Sequence, residues 1–291
     1  MPELPEAETI ARQLQRELAG RTIGAVRLER TDIVHGDPTP LDELLPGLTV
    51  VRVQRRAKQV VFDLSPKGQL VFRLGMTGRL MVVAPGADIE PHTHLRMAIV
   101  ETRRELRFCD PRRFGGIWVL TDRETYVGRR LGKVGLEPLD GTPRQFRGVL
   151  HRRRQIKALL MDQSAVAGLG NIYCDESLHA AGIHPLTRAD TLSSECAGKL
   201  LRCIKTTLRR AIRFNGSTLM DYRDADGREG SFQRLHRVYQ REGQPCKKCA
   251  TPIRRIFAAG RSTFFCPRCQ MRKAHHQDTK TPGKALKKRH S

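Results

Sequence analysis

The residues with the most chemistry per unit length stand at the front of the chain, Met1-Pro2-Glu3-Leu4-Pro5-Glu6. With Met1 removed, the terminus becomes the secondary amine of Pro2, flanked by the carboxylates of Glu3 and Glu6. An α-amino group titrates at about 7.7 to 8.0, so roughly a tenth is free base near neutral pH, whereas an ordinary lysine amine is almost wholly protonated. Such an amine is a ready nucleophile. The positive end of a following helix disfavours its protonated form while Glu3 and Glu6 favour it, which leaves the net shift open. Read alone, the same stretch also describes an ordinary capped first helix, because proline is common in first turns.

Four cysteines form a second chemical unit. Cys246-Lys-Lys-Cys249 and Cys266-Pro-Arg-Cys269 are paired C-x2-C knuckles separated by sixteen residues, the pattern of a four-thiolate zinc site. Disulfides are the weaker alternative in a cytosolic chain. With all four positions filled by sulfur, the expected Zn2+ is structural and leaves no open position to activate water. Cys109, Cys174, Cys196 and Cys203 are scattered and read as small buried hydrophobes.

The elements that must position these groups follow from periodicity. A helix is expected from about Pro5 to Ala19, with Gly20 as its stop and Ile10, Leu14 and Leu18 as its buried stripe. From about Thr22 to Leu120 the pattern is short extended runs, among them Thr49 to Val53, Val60 to Leu64, Leu70 to Leu74, Leu95 to Val100 and Ile117 to Leu120. With Ser65-Pro66-Lys67-Gly68 as one turn, they suggest a β-sandwich or barrel. After Gly135-Leu136-Glu137-Pro138 and a linker at Gly141-Thr142-Pro143 the period turns helical: Cys196, Leu200, Ile204, Leu208 and Ile212 repeat every four, between Ser193 or Ser194 and Asn215-Gly216. The order is β domain, helical domain, zinc module. The last stretch, 273–291, carries six Lys or Arg and little to bury, and is expected to be disordered.

Composition names the partner class. Fifty-three Lys plus Arg against thirty Asp plus Glu leave a formal charge of +23 over 291 residues, the footprint of a nucleic-acid binder. Ribosomal or histone-like proteins are also basic but usually shorter, and 39% hydrophobic content can bury more than one core. No 18-residue apolar run and no charged-then-apolar leader occur, which points to a soluble intracellular protein.

Three further segments have two readings each. Gly168-Leu169-Gly170-Asn171-Ile172-Tyr173 opens a helix whose first amides can hold a phosphate, with Lys157 as a cation beside it, or is simply a tight turn. Arg55-Arg56-Ala57-Lys58 by composition is a solvated basic edge. The stretch Ser217 to Phe232 includes Asp224 to Gly230, a glycine-rich loop that, taken alone, is a mobile surface connection.

Met1 to Thr9, Leu74-Gly-Met-Thr-Gly78, Asp110-Pro-Arg-Arg-Phe-Gly115, Gly168 to Tyr173 and the terminal cysteines stand in the order found in formamidopyrimidine-DNA glycosylases, which the chain resembles from residue 1 to about 272. The resemblance implies an α+β multidomain enzyme: an N-terminal β-sandwich (1–135), a helix-two-turn-helix domain with a lesion loop (136–237), a zinc finger (238–272) and a basic tail (273–291). It implies a bifunctional glycosylase and abasic-site lyase that excises oxidised purines, with one structural zinc and no catalytic metal or organic cofactor. Pro2 is similar to the family nucleophile, Glu3 to its proton-transfer group, Glu6 to a supporting carboxylate and Lys58 to a phosphate-holding ammonium in the active site. Met76, Arg112 and Phe114, two of which would otherwise read as core residues, resemble the triad that fills the gap left by an extruded base. Arg113, Lys157, Asn171 and Arg261 match phosphate-contacting positions, and His92 is a further candidate. The implied partner is double-stranded DNA with an oxidised base or abasic site, met by a monomer in the bacterial cytoplasm at the nucleoid. The same chemistry on oxidised pyrimidines, and a non-catalytic DNA-binding protein, are the alternatives.

Overall fold

The protein is described by a computed structural model covering residues 2–36, 39–66, 68–120 and 134–272. Met1, Lys67 of the expected turn and the expected disordered tail at 273–291 lie outside the described residues. Helix α1 runs Leu4–Leu18, and Gly20 follows it with φ +78°, a conformation that glycine adopts at little steric cost. Ile10, Leu14 and Leu18 are buried, as their spacing requires, each contributing about 1.5 to 3 kcal/mol of apolar transfer. Leu4 belongs to a different core from these three. One helix therefore enters two hydrophobic clusters, its first turn in the helical lobe and the remainder in the β lobe.

The β lobe contains β1 (Ile23–Leu28), β2 (Val34–Gly36), a short helix α2 (Leu41–Leu44), β3 (Thr49–Arg56), β4 (Gln59–Ser65), β5 (Gln69–Arg73), β6 (Arg79–Val83), β7 (Thr93–Ile99), β8 (Glu105–Cys109) and β9 (Gly116–Leu120). Two sheets form, in the orders β2-β9-β5-β4-β3 and β1-β7-β8-β6. All pairs are antiparallel except β2 with β9. Phe62, Phe72 and Phe108 meet in the core, with Phe62 and Phe72 edge to face at 5.4 Å and Phe72 and Phe108 at 5.7 Å.

The named extended runs all fall on strands, whereas β1, β2, β6 and β8 lie outside them. The reason is visible at β8, where the apolar pattern is broken by a buried charge. Arg107 is only 3% exposed, and its guanidinium donates to the backbone carbonyls of Asp88 (2.6 Å) and Ala87 (2.9 Å). A cation satisfied in this way can sit inside a sheet.

The helical lobe holds α3 (Pro143–Leu150), α4 (Ile156–Met161), α5 (Asn171–Ala181) and α6 (Ser194–Arg213). The expected linker at Gly141-Thr142-Pro143 is in fact the start of α3. Thr142 Oγ1 accepts the Gln145 N–H (3.3 Å), and Gln145 Oε1 accepts the Thr142 N–H (2.9 Å), a capping box closed in both directions. On α6, Ser193 Oγ accepts the Cys196 N–H (3.2 Å), Leu200, Ile204 and Leu208 are fully buried, and Asn215 and Gly216 turn left-handed at the exit. Of the scattered cysteines, Cys109 and Cys174 are buried, while Cys196 and Cys203 are only half-buried. A two-stranded hairpin, β10 (Arg254–Ala258) and β11 (Arg261–Phe265), carries the cysteine knuckles on either side.

Candidate active site and DNA-facing surface

Two carboxylates organise the front of α1. Glu3, 2% exposed, accepts N–H bonds from Gly170 (2.8 Å), Ile172 (3.0 Å) and Tyr173 (3.3 Å). The amides at the start of α5, read from sequence as a place for a phosphate, are thus occupied by the protein's own anion. This corrects the expectation on simple grounds: a buried carboxylate already complements the positive end of that helix. A β-carbon on Gly170 would lie 2.5 Å from the Glu3 carboxyl carbon and 2.8 Å from Lys58 Nζ. Glycine is required there, and the Glu3 carboxylate and Lys58 ammonium converge on one point.

Glu6 is 1% exposed. Its oxygens accept the Ser217 N–H (2.7 Å), the Tyr173 hydroxyl and the Glu3 N–H (2.8 Å). Burial and the neighbouring Glu3 charge push its pKa up, opposed by these donors. The network continues from the Tyr173 hydroxyl to Ser217 Oγ (3.3 Å) and on to His236 Nε2 (3.1 Å). Burial lowers the His236 pKa to about 4, so the imidazole is neutral at physiological pH. Pro2 is buried beside Glu3.

Lys58 sits in the turn from β3 to β4, after Ala57 with φ +53°. That turn is held from the other lobe. Glu137 Oε1 accepts the Ala57 N–H (2.7 Å), Arg56 Nη1 (2.7 Å) and Arg55 Nη1 (3.0 Å), while Arg55 Nε reaches Glu8 (2.8 Å). Arg55 and Arg56 are therefore interlobe ties and not a solvated edge. Burial alone raises the Glu137 pKa, but the Arg55, Ala57 and Arg56 bonds outweigh it and hold the carboxylate below its ordinary range.

Met76 and Phe114 are 38% and 53% exposed, and the Arg112 guanidinium lies 4.6 Å from the centre of the Phe114 ring. Buried Asp110 brings their two loops together, accepting from the Thr77 hydroxyl and, at 2.7 Å, from the Gly115 N–H. These side chains are exposed and are not core residues. Arg113 is half exposed and pairs with equally exposed Asp32 at 3.1 Å, while His92 is exposed, with its carbonyl on the Asp110 N–H (3.1 Å). Arg261 is exposed at the start of β11.

Lys157 departs from expectation. It is 0% exposed, and its ammonium donates to Asp175 (2.8 Å), Thr263 Oγ1 (2.7 Å) and, more distantly, the Ser262 carbonyl (3.5 Å). Three donors are spent inside the protein, so the residue holds the hairpin to α4 and α5 and does not present itself to a phosphate. Asn171 Nδ2 donates to the same Ser262 carbonyl (3.0 Å), next to Arg261. Tyr173, Ser217, Gln13 and Glu137 are functional neighbours that sequence reasoning misses. Tyr173 and Glu137 lie within quoted motifs, which is the available signal. Gln13 fastens the 217–232 loop, donating to Asp224 (2.9 Å) and accepting the Ala225 N–H (3.0 Å), so the loop's middle is tethered to α1.

The sulfurs of Cys246, Cys249, Cys266 and Cys269 all lie within 4.8 Å of one another, with Cys249 at 3.4 Å from both Cys266 and Cys269 and Cys246 at 3.9 Å from Cys269. Tetrahedral zinc with bonds of about 2.3 Å needs sulfur separations near ~3.8 Å, which this cluster fits. The four cysteines form the structural zinc site.

A buried carboxylate pair beside a buried Pro2, a nearby ammonium, an exposed Met-Arg-Phe group and a zinc hairpin define a class of enzyme that works on DNA bases. Residues 1–117 match the formamidopyrimidine-DNA glycosylase N-terminal domain, 134–223 the H2TH domain of the same enzymes, and 243–272 a zinc finger found in FPG and IleRS. A formamidopyrimidine-DNA glycosylase of Herpetosiphon aurantiacus is 44% identical over 275 residues, covering 93% of this chain and 100% of that one. Among solved structures, the MutM (Fpg) protein of Thermus thermophilus superposes with TM-score 0.81 at 38% identity, over 94% of this chain and 100% of that one. Lactococcus lactis Fpg with Fapy-dG-containing DNA gives 0.83 at 32%, and the same protein with abasic-site DNA 0.84 at 33%, each over 93% of this chain and 100% of that one. The chain belongs to the formamidopyrimidine-DNA glycosylase family. It is a base-excision-repair DNA glycosylase that also acts as an abasic-site lyase. No helix among the described residues is long and apolar enough to cross a membrane.

Proposed function

We propose that Pro2, freed by removal of Met1, is the nucleophile of this glycosylase and lyase. Its nitrogen bonds to the sugar C1′ of a turned-out nucleotide, and the base leaves with the bonding electrons. Loss of the ring oxygen from C1′ gives an iminium, which acidifies the C2′ hydrogens. Removal of a C2′ proton then expels the 3′ phosphate, and a second elimination expels the 5′ phosphate. Glu3 moves protons in ring opening and elimination, held in orientation by its three N–H donors. Glu6 fixes Glu3 and the 217–232 loop through Ser217, and Lys58 holds a lesion-flanking phosphate. The convergence of Glu3 and Lys58 on Gly170 is the observation that carries this reading.

The substrates are duplexes carrying oxidised purines, formamidopyrimidines and 8-oxoguanine among them, or an abasic site. The relatives' names and the Lactococcus complexes support that choice. Met76, Arg112 and Phe114 fill the vacated gap, with Arg112 meeting the orphaned base. Arg113, Asn171, Arg261 and His92 contact phosphates. The domain division is 1–135, 136–237 and 238–272 with a basic tail, and the enzyme acts as a monomer in the bacterial cytoplasm at the nucleoid. Borohydride trapping on lesion duplex tests the nucleophile: wild type is expected to give a covalent complex, and protein that retains Met1 ahead of Pro2 none. Equal trapping by both would remove Pro2 from the reaction. Competition between 8-oxoguanine and thymine-glycol duplexes, with the former expected to win, tests the lesion class.

A further inference from the structure

The exposed face of α1 looks into a groove between the lobes, with a volume of about 1280 Å³. It is lined by seven arginines against three carboxylates, and no residue proposed to contact DNA is among them. Arg16 lies twelve residues beyond the first residue of α1, about 18 Å along the helix from the Glu3 end. Arg12 and Arg55 are neutralised by Glu8, and Arg228 by Asp226. Arg16 on α1, Arg52 on β3, and Arg209 and Arg213 on α6 make no salt bridge among the described residues, and all four are exposed. A cation in the last turn of a helix answers that helix's own dipole, which accounts for Arg16 and Arg213 singly. It does not account for unpaired cations from both lobes facing one groove.

We propose that this groove binds a short chain of phosphoryl groups. Arginine recognises phosphate oxygens through a planar fork of donors, and a linear anion of several charges suits cations spread along two walls. The volume exceeds the roughly 300 to 1,000 Å³ of most small-ligand pockets, which gives room for an extended anion. Its described lining contains no Phe, Tyr or Trp, so it lacks the stacking platforms on which single-stranded nucleic acid is held. Asp226 and Arg228, from the middle of the 217–232 loop, form part of the wall. An occupant therefore touches both lobes and that loop at once.

The experiment is calorimetric titration of the full-length protein with tripolyphosphate, first alone and then with the DNA cleft filled by a duplex carrying a reduced abasic site. Binding is expected to persist on the DNA-bound protein. The double variant Arg209→Ala/Arg213→Ala is expected to weaken it at least tenfold, with excision in the absence of tripolyphosphate unchanged. Removing the same charge elsewhere, with Arg152→Ala/Arg153→Ala, is expected to weaken it less than twofold. Displacement of tripolyphosphate by the duplex, or equal losses from the two double variants, would overturn the proposal. ATP titrated in parallel separates two sources of the same chemistry: equal affinity points to inorganic phosphate chains, and tenfold tighter ATP to a nucleoside triphosphate. Binding of neither overturns it.

Discussion

Around Glu3 and Glu6 the polar groups are answered from within the protein, whereas Met76, Arg112 and Phe114 are exposed, with the Arg112 guanidinium over the Phe114 ring. The first region is assembled from both lobes, with α5, the 217–232 loop and the residue 137 linker all bonded to α1 or to the turn before Lys58. The second is two loops pinned underneath by Asp110 and left open above. Groups that must meet a transition state gain from fixed orientation before substrate arrives. In the roles proposed for them, Met76, Arg112 and Phe114 find their partners only once DNA is bound. On that reading, buried order serves chemistry and exposed readiness serves recognition.

The largest expected effect is at Glu3. Glu3→Gln should retain lesion-DNA binding and lose at least about a thousandfold in single-turnover excision, on the order of 4 kcal/mol. An equal loss of affinity by fluorescence anisotropy would break the division between chemistry and recognition. Next comes pH. His236 has a folded pKa of about 4 against about 6.5 unfolded, so below pH 6.5 the unfolded chain takes up a proton that the native state refuses. Stability should fall as pH drops from about 6.5 to 4, by up to about 3 kcal/mol from this group. His236→Gln should flatten urea-unfolding stability across that window, and an unchanged slope would show that the buried network does not run through His236.

Glu137→Gln should loosen the turn before Lys58 and cut excision roughly ten- to thirtyfold, about 1.4 to 2 kcal/mol, without touching the lesion. If only thermal stability moved and excision did not, the linker would be a brace and not a positioning element. Phe114→Ala should lower excision about tenfold while changing unfolding stability by less than about 0.5 kcal/mol, because an exposed ring supports little packing. A large drop in Tm would place it with the buried region after all. The smallest effect is expected at Arg113→Ala, which should reduce the salt slope of DNA binding by about one, measured by titration at several salt concentrations.

Much of the fold and site is legible in the chain because local patterns carry it. The fourfold spacing of Ile10, Leu14 and Leu18, the Ser193 cap and the cysteine knuckles each depend on neighbours close in sequence. Lys157 reads wrongly as a phosphate ligand because its type and position suit that role, while its partners Asp175 and Thr263 come from another helix and from the zinc hairpin. Arg55 and Arg56 read as a basic edge for the same reason: Glu137 is about eighty residues away. The strand at Glu105–Cys109 is hidden by Arg107, whose burial depends on carbonyls of a preceding loop.

Sequence by itself determined which groups are available: a proline in second place followed by two acids, four cysteines in two knuckles, a large positive charge and the motifs that identify the family. Tertiary structure decided how those groups are used. A charge is free for DNA or consumed inside according to which distant partner reaches it, because the desolvation cost of a buried ion depends on contacts that residue order does not contain. So Glu3 serves as the anion at the start of α5, Lys157 is a clamp, and Arg16, Arg209 and Arg213 are left facing an open groove.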